Sequence, residues 1–454
     1  MSDFLGLRIG LSALQSHKRA LDVAGQNLAN VNTVGYSRQT TNLSSVDAKI
    51  TSAIHSTWTE TGQGVEVVDV SRMQDRFLEA RSLVEHSTQA SMSRTQTALS
   101  RIELGFNEPS DDGLAAQIAH FQAAWDDVAN HPEDSAARQQ VIDRAQTMST
   151  GLRKIGSDLA SLRTSNLGEL GAVIGNVNDI TSEIARLNQQ IQVANASGGG
   201  DANGLADQRD ELVRQISEKL GATIRPGENG SVDVFVGGQQ LVRGVTAEQL
   251  RVVVDSTPAR NASVVFASNG GTAAVGGDAG GLIGVVNDLI PRYRTQVSDV
   301  ATAIATEVNT IHHTGFDLNG AAGGDVFVFG VGGIEVNSAI AGNPKLLAAS
   351  AASGVTRDGS VASKMAAVTV GQSAYTALVA KVGSETASVN RQLATQKAVT
   401  SQVDAARDSV SGVNLDEEMV SMVAIQHAYQ AASKFITVVD SMLDTLINRM
   451  GVGR

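Results

Sequence analysis

Apolar residues recur every seven positions at both ends of the chain. Leu415, Met422, Tyr429, Ile436, Leu443 and Met450 mark one register near the C-terminus, and Ile425, Ala432, Val439 and Leu446 supply the second apolar place of each heptad. At the N-terminus Leu7, Leu14, Leu21 and Leu28 keep the same period, with Leu11, Ala24 and Val31 widening the stripe. A repeat of seven is the seam of a coiled coil, because the apolar stripe then stays on the side that faces a partner helix. The pattern predicts two helices that bracket the chain and pair with each other. Such a pair, isolated in water, is marginal. The seam is therefore expected to need further neighbours.

Between the ends the period is mostly helical. Helices are predicted over about 4–30, 69–104, 113–130, 134–196 with a break near Asn166 to Gly175, 205–220, 282–313 and 374–409. Asn and Gly cluster in Asn30 to Gln39 and end the first of them. The polar stretch Gln39 to Gln63 reads as extended or loop, Val65, Val67 and Val70 as a short strand, and Ser197 to Gly204 as a turn. From Ala222 to Gly281 the period falls to two, through Val232, Val234 and Val236, then Leu250 to Val254, then Val264 to Phe266, which predicts a small antiparallel β region. Phe316 to Gly333 is a glycine-rich loop with room for one strand.

The fold class that follows is mainly α with a small β insert, an elongated multidomain rod. Residues 1–68 with 408–454 are expected to form a terminal coiled-coil core plus an extended segment, 69–221 with 282–407 a helical-bundle middle domain, and 222–281 a small β subdomain.

Composition narrows the function more than the fold. A chain of 454 residues with 42% apolar but only 4% aromatic residues suggests slender layers of Ala, Val and Leu without a bulky aromatic core. The formal charge of -12, with no cluster of Lys and Arg interleaved with aromatics, opposes nucleic acid and anionic membranes as partners. No run of eighteen apolar residues suggests membrane insertion, and Asp3 and Arg8 in the opening MSDFLGLRIG do not suit a Sec signal. Cysteine is absent, which excludes disulfides and thiolate metal sites, and proline is scarce at six residues. Both suit a chain that threads a channel unfolded and then refolds.

Candidate chemistry is thin. The phosphate-cradling, nucleophile-elbow and HExxH patterns are missing, and Gly330-Val-Gly-Gly-Ile-Glu lacks the third glycine of a dinucleotide loop. Asp317, Asn319 and Asp325 have the start of a calcium loop, but Val328 stands where its bidentate Glu belongs. His312 and His313 at a helix end are read as C-terminal dipole contacts. Asp207-Gln-Arg-Asp-Glu-Leu is read as a solvated, ion-paired helix face. Asp416, Glu417 and Glu418 are read as acids at the positive end of a helix, with Asn414 its N-cap and Glu417 completing a capping box. No catalytic, cofactor-binding or metal site is expected.

The terminal motifs carry a resemblance. Gly10-Leu-Ser-Ala-Leu-Gln and Leu28-Ala-Asn-Val-Asn-Thr-Val-Gly-Tyr-Ser-Arg-Gln resemble the start of the rod, hook and hook-associated axial proteins of the bacterial flagellum. Ser411-Gly-Val-Asn-Leu-Asp-Glu-Glu-Met, Gln426-His-Ala-Tyr-Gln-Ala-Ala and Val439-Asp-Ser-Met-Leu-Asp-Thr-Leu are similar to their ends, and Leu187-Asn-Gln-Gln-Ile and Glu307-Val-Asn through Gly320 also fit. Asn30, Asn32, Thr33, Gly35, Tyr36, Ser37, Arg38, Asn414, Asp416, Glu417 and Glu418 are the motif positions. Gly35-Tyr-Ser-Arg-Gln favours a hook-associated member, since rod and hook subunits usually have Gly-Phe-Lys there. The chain is short for the group, which implies that a large outer β domain after Asn319-Gly320 is reduced or missing.

The resemblance implies a non-enzymatic subunit of the hook–filament junction that assembles with copies of itself in a ring. Its neighbours would be the hook protein and the second hook-associated protein. It would be secreted by flagellar type III export with the help of an export chaperone. A sister axial subunit and a cytosolic coiled-coil adaptor remain the alternatives.

Overall fold

A computed structural model describes residues 3–46, 62–197, 202–257 and 260–445. The heptad positions Leu446 and Met450, and parts of the segments 39–63 and 197–204, lie outside the described residues. The chain opens with α1 (Asp3–Ala29) and a hairpin of β1 (Gln39–Ser45) and β2 (Val65–Arg72). The helices α2 (Arg76–Phe106), α3 (Leu114–Asn130), α4 (Ser135–Ala196) and α5 (Ala202–Leu220) follow. A β region comes next, with strands β3 (Thr223–Pro226), β4 (Val232–Val236), β5 (Gln239–Arg243), β6 (Thr246–Ala247), β7 (Leu250–Val254) and β8 (Ala262–Phe266). After α6 (Gly277–Gly284) and α7 (Ile290–His312) come the hairpin β9 (Phe327–Gly330) and β10 (Gly333–Val336) and the short α8 (Ser338–Gly342) and α9 (Ser360–Ala366). Two long helices, α10 (Val370–Ser411) and α11 (Leu415–Asp444), close the chain.

The strut is α4. Its 62 residues span about 93 Å at 1.5 Å per residue. The break expected near Asn166 to Gly175 is not there: Leu170, Val173, Ile174 and Val177 continue the buried face, and their packing overrides the cost of the intervening glycines. Two separate apolar cores are strung along it. The first half of α4 packs with the C-terminal half of α2, with α3, α7 and α9, and with the start of α10. The second half packs with α5, α6 and the β region. Strands β3 to β6 form one antiparallel sheet and β7 pairs β8 in another. Along β4, Val232, Val234 and Val236 all turn inward, as the alternation predicts. Val234 and Val236 share their core with α4 and α5.

Three further expectations change. The helix placed at Asp69 starts at Arg76, where Asp75 accepts from the N–H groups of Phe77 and Leu78, because Val65 to Arg72 is taken up in the hairpin with β1. The helix expected over 282–313 is interrupted by a π-helical turn at Val285–Leu289. The aromatic residues are few but concentrated: Trp125, Phe327, Tyr293 and Tyr375 are fully buried in the first core, and Phe121 lies 5.7 Å from Phe327 and 6.4 Å from Trp125 between ring centroids. An average over the whole composition hides such clustering.

His312 is also not the dipole contact it looked like. It is fully buried against Trp125, its Nδ1 donates to the Gly324 carbonyl at 2.6 Å, and its Nε2 accepts from the Ala348 N–H at 2.7 Å. One nitrogen must accept, so the imidazole is neutral with its proton on Nδ1. Burial pushes its pKa down from 6.5 to about 4, with only partial opposition from the Gly324 bond. His313 instead pairs with Asp325 at 3.0 Å. The Asp317 carboxylate is spent on its own loop, accepting from the N–H groups of Asn319 and Ala321.

The unfolded chain takes up a proton on His312 near 6.5 and the folded chain only near 4, so this stabilisation is complete above 6.5 and is lost as pH falls toward 4. Urea unfolding of the parent and of His312→Gln at pH 7.5 and pH 4.5 should show the parent losing on the order of 3 kcal/mol more than the variant. Equal losses would remove the neutral-imidazole reading.

Candidate functional site

The two ends of the chain meet as an antiparallel pair. Gly6 faces Val439, Gly10 faces Ile436, and Asn27 reaches Glu418. The approach is close at one point: a Cβ at Gly10 would lie 2.6 Å from Ile436 Cγ1. The hairpin of β1 and β2 lies along α1, where the Ser16 hydroxyl donates to the Val65 carbonyl at 3.1 Å.

The seam is only half closed. Leu7, Leu14, Leu21 and Leu28 are half-buried and Leu11 is 47% exposed. The buried positions of α1 are mostly small ones, Gly10, Ser16, Ala20 and Ala24, with Val23 and Asn27. Leu11 projects outside the contact because the close approach of Gly6 and Gly10 puts a different side of α1 against α11. On α11, Met422, Ile425, Tyr429, Ile436, Val439 and Leu443 are half-buried. A second stripe, Val420, Ala424, Ala431, Phe435, Val438 and Met442, follows helical spacing and is exposed throughout. Glu418 is the one buried residue of α11.

That glutamate is the centre of a polar node. Its Oε1 accepts from Arg38 Nε at 2.7 Å and its Oε2 from Asn27 Nδ2 at 3.2 Å. Arg38 Nη1 also reaches Glu417 at 3.0 Å. The backbone of Arg38 extends the node, since its N–H donates to the Ser411 carbonyl and its carbonyl accepts from the Met73 N–H, both at 2.8 Å. Asn27 Oδ1 accepts from the Tyr36 hydroxyl at 2.8 Å and from the Gln39 N–H at 2.9 Å. One cluster therefore ties the end of α1, the following loop, the link between β2 and α2 and the turn between α10 and α11. Burial, with Asp207 and Glu418 nearby, pushes the Tyr36 phenol up to about 12, so it stays a donor.

A second cluster joins β2 to α5. Arg72 Nη1 binds Asp207 at 2.9 Å and Asp210 at 2.8 Å, and Gln74 Nε2 donates to the hydroxyl of Ser37, itself buried. The face read as solvated is thus largely interior: Asp207 and Arg209 are buried. Burial raises the Asp207 carboxyl, which Arg72 offsets only in part. Burial acts the same way on Asp210, but Arg209 and Arg72 overcome it and hold that carboxyl below its usual range. Between the two clusters a cleft of about 1210 Å³ opens, and five of its six arginines are already paired with carboxylates. Among the described residues no group of acidic and histidine side chains could hold a metal ion.

The remaining motif positions serve the turn. Asn30 Oδ1 accepts from Thr33 Oγ1, Asn32 and Thr33 are exposed, and Gly35 has a φ of +81° that favours glycine. Asn414 caps α11 by accepting from the Asp416 N–H at 3.0 Å, and Asp416 is exposed in the first turn. The capping-box role for Glu417 gives way to the Arg38 contact. Sequence reading missed Asn27, Arg72, Asp207, Asp210 and Ser411 as partners. The available signal was two aspartates three residues apart on one helix face, which call for a shared cation.

The comparisons with known proteins fit this geometry. The family profile for the flagellar hook-associated protein FlgK helical domain matches residues 99–327, just over half of the chain. The chain belongs to the FlgK family. A profile for flagellar basal body rod proteins matches residues 7–36, and one for the C-terminal region of the flagellar basal body rod FlgEFG proteins matches 407–450. Asn27 and Glu418 thus lie in the two terminal segments of this chain that match the rod-protein profiles.

The chain is similar to flagellar hook-associated protein 1 of Bacillus subtilis, 26% identical over 504 aligned residues that take in 100% of this chain and 99% of the relative. It is similar as well to flagellar hook-associated protein 1 of Escherichia coli, 24% identical over 543 residues, 96% and 98% of the two chains. The solved flagellar hook junction protein FlgK from Burkholderia pseudomallei shares the fold, with a TM-score of 0.63 at 19% identity over 73% of this chain and 100% of that one. The chain is accordingly a flagellar hook-associated axial protein, structural and without enzymatic activity.

Breaking the buried half of the node should cost about 2 kcal/mol of local stability, since it strands a partly buried cation. Glu418→Ala is expected to speed tryptic cleavage within α1 and α11 about thirtyfold. Glu417→Ala, which removes an exposed contact, should stay under about threefold. Equal effects of the two changes would contradict the assignment.

Proposed function

We propose that the chain forms the hook–filament junction, joining the hook to the filament through the second hook-associated protein. The observation that carries this reading is the exposed stripe on α11, Val420, Ala424, Ala431, Phe435, Val438 and Met442, running beside a seam that α1 closes only halfway. A contiguous apolar face of this kind marks an interaction surface. Copies of the chain arranged in a ring would cover it, with the seam residues Leu7 to Leu28 and Met422 to Leu443 in the same layer. The FlgK-family match over 99–327 supports the junction position over a sister rod or hook subunit, because the terminal matches are to profiles named for rod proteins and the FlgK profile alone covers the middle of the chain.

In this reading the terminal helices are weakly held in the free chain and gain their missing walls on assembly, so that ordering and incorporation are one event. The residues 69–407 form the outer layers. Export follows the flagellar type III route to the cell exterior, with a chaperone holding α11 until it docks. The absence of cysteine fits passage in an unfolded state.

A deletion strain should build hooks that carry no filaments and should release filament subunits into the medium; normal filaments in that strain would refute the junction role. In the purified chain, limited proteolysis should trim roughly the first 60 and the last 40 residues and leave a stable middle, consistent with low local stability at half-covered ends. Ile436→Asp or Leu443→Asp should leave that middle folded while filament attachment fails. Cells that carry either change and still grow normal filaments would show the seam to be dispensable.

A further inference from the structure

The two apolar cores do not merge. Among the described residues, α4 contributes buried apolar side chains to one core as far as Leu159 and to the other from Leu170, and the buried residue between them is a polar one, Asn166. The interval is rich in features that weaken a helix. Asn166 Nδ2 bonds back to the Leu162 carbonyl at 2.7 Å, and the Thr164 hydroxyl to that of Ala160 at 3.1 Å. Such bonds compete with the helical ladder and favour bending.

Gly168, Gly171 and Gly175 follow, all exposed, and a Cβ at any of them would meet nothing within 4 Å. Packing does not require these glycines. Gly151, by contrast, sits where a Cβ would lie 2.4 Å from Gln117 Oε1. Each free glycine lowers helix stability relative to alanine with no steric return.

The neighbouring helices soften at the same level. The π-helical turn at Val285–Leu289 straddles the boundary, with Val285 and Leu289 in one core and Val286, like Leu282 of α6 before it, in the other. Isolated π turns of this kind often sit at functional positions. In α2 the residues between the two cores include Thr95 and Thr97, both bonded back to carbonyls four residues earlier. Polar contacts bridge the boundary: Arg94 of α2 binds Asp278 of α6 at 2.8 Å and Glu169 of α4, and Arg163 donates to the Val286 carbonyl at 2.9 Å.

From these observations we infer that residues 160–176, with 285–289 and the middle of α2, form a compliant waist at which the two cores flex about the Arg94 pivot. The strut is continuous, so it resists pulling, yet its cheapest deformation is a bend at the waist. A subunit in a bearing or joint would use that to absorb strain without breaking its contacts at either end.

The full-length chain tests this directly, because it has no cysteine and accepts label pairs cleanly. Spin labels at Arg144→Cys and Glu248→Cys span the waist, and labels at Arg144→Cys and Asp299→Cys stay within one core; all three positions are exposed. The distance distribution across the waist should be about twice as broad as the one within the core. The triple change Gly168→Ala, Gly171→Ala and Gly175→Ala should narrow it to the within-core width and slow amide exchange over 165–176 by about tenfold or more. A melting temperature at or above that of the parent would show that the variant folds. Equal widths in the unsubstituted chain, or a width unchanged by the triple variant, would overturn the proposal.

Discussion

The terminal architecture depends on one buried carboxylate. Glu418 is the only residue of α11 withdrawn from solvent, and it is held by Arg38 and Asn27 from the other end of the chain. The rest of α11 is covered on one side at most. The helix therefore takes its direction from a fixed polar anchor and leaves the rest of its length half-buried or exposed. A buried ion pair contributes little net stability, because desolvation offsets much of the attraction, but it penalises every arrangement that separates the partners. Under the proposed function, that is the property required of a subunit whose ends must stay aligned while their apolar surface waits for neighbours.

The body is stabilised differently. Its two cores are organised on α4, with most of the buried aromatics gathered in one and strands β4 to β8 closing the other. Charge pairs stitch the terminal unit to this body through Arg72, Asp207 and Asp210, where two carboxylates share one guanidinium. Their pKa values move in opposite directions, as expected when burial acts on both and only Asp210 has a second cation, Arg209, beside it. Polar clamps thus set the geometry between layers, and apolar packing sets the stability within them.

Periodicity made the helices legible, because a stripe at 3.6 or 3.5 residues is a local signal. The small β region was legible for the same reason in Val232, Val234 and Val236. The terminal seam was recognisable at Ile436 and Val439, yet the leucine repeat of α1 overstated its own burial, since the close contact runs through Gly6 and Gly10. What sequence could not reach were the long-range partners. Glu418 and Arg38 stand 380 positions apart, and nothing local distinguishes a carboxylate that caps a helix from one that crosses to another segment. His312 was misjudged similarly: a histidine at a helix end is ordinary, and its burial depends on the segment around Ala348 folding back over it. The glycines of α4 were read as a break, whereas packing carries the helix through them.

The central claim is that the terminal helix pair is incomplete in the single chain and is finished by neighbouring subunits. Amide exchange across residues 419–443, measured for the dilute chain and again within isolated flagella, tests it most directly. The account predicts rapid exchange in the free chain and protection greater by about a hundredfold or more after assembly. Equal, strong protection in both states would contradict it.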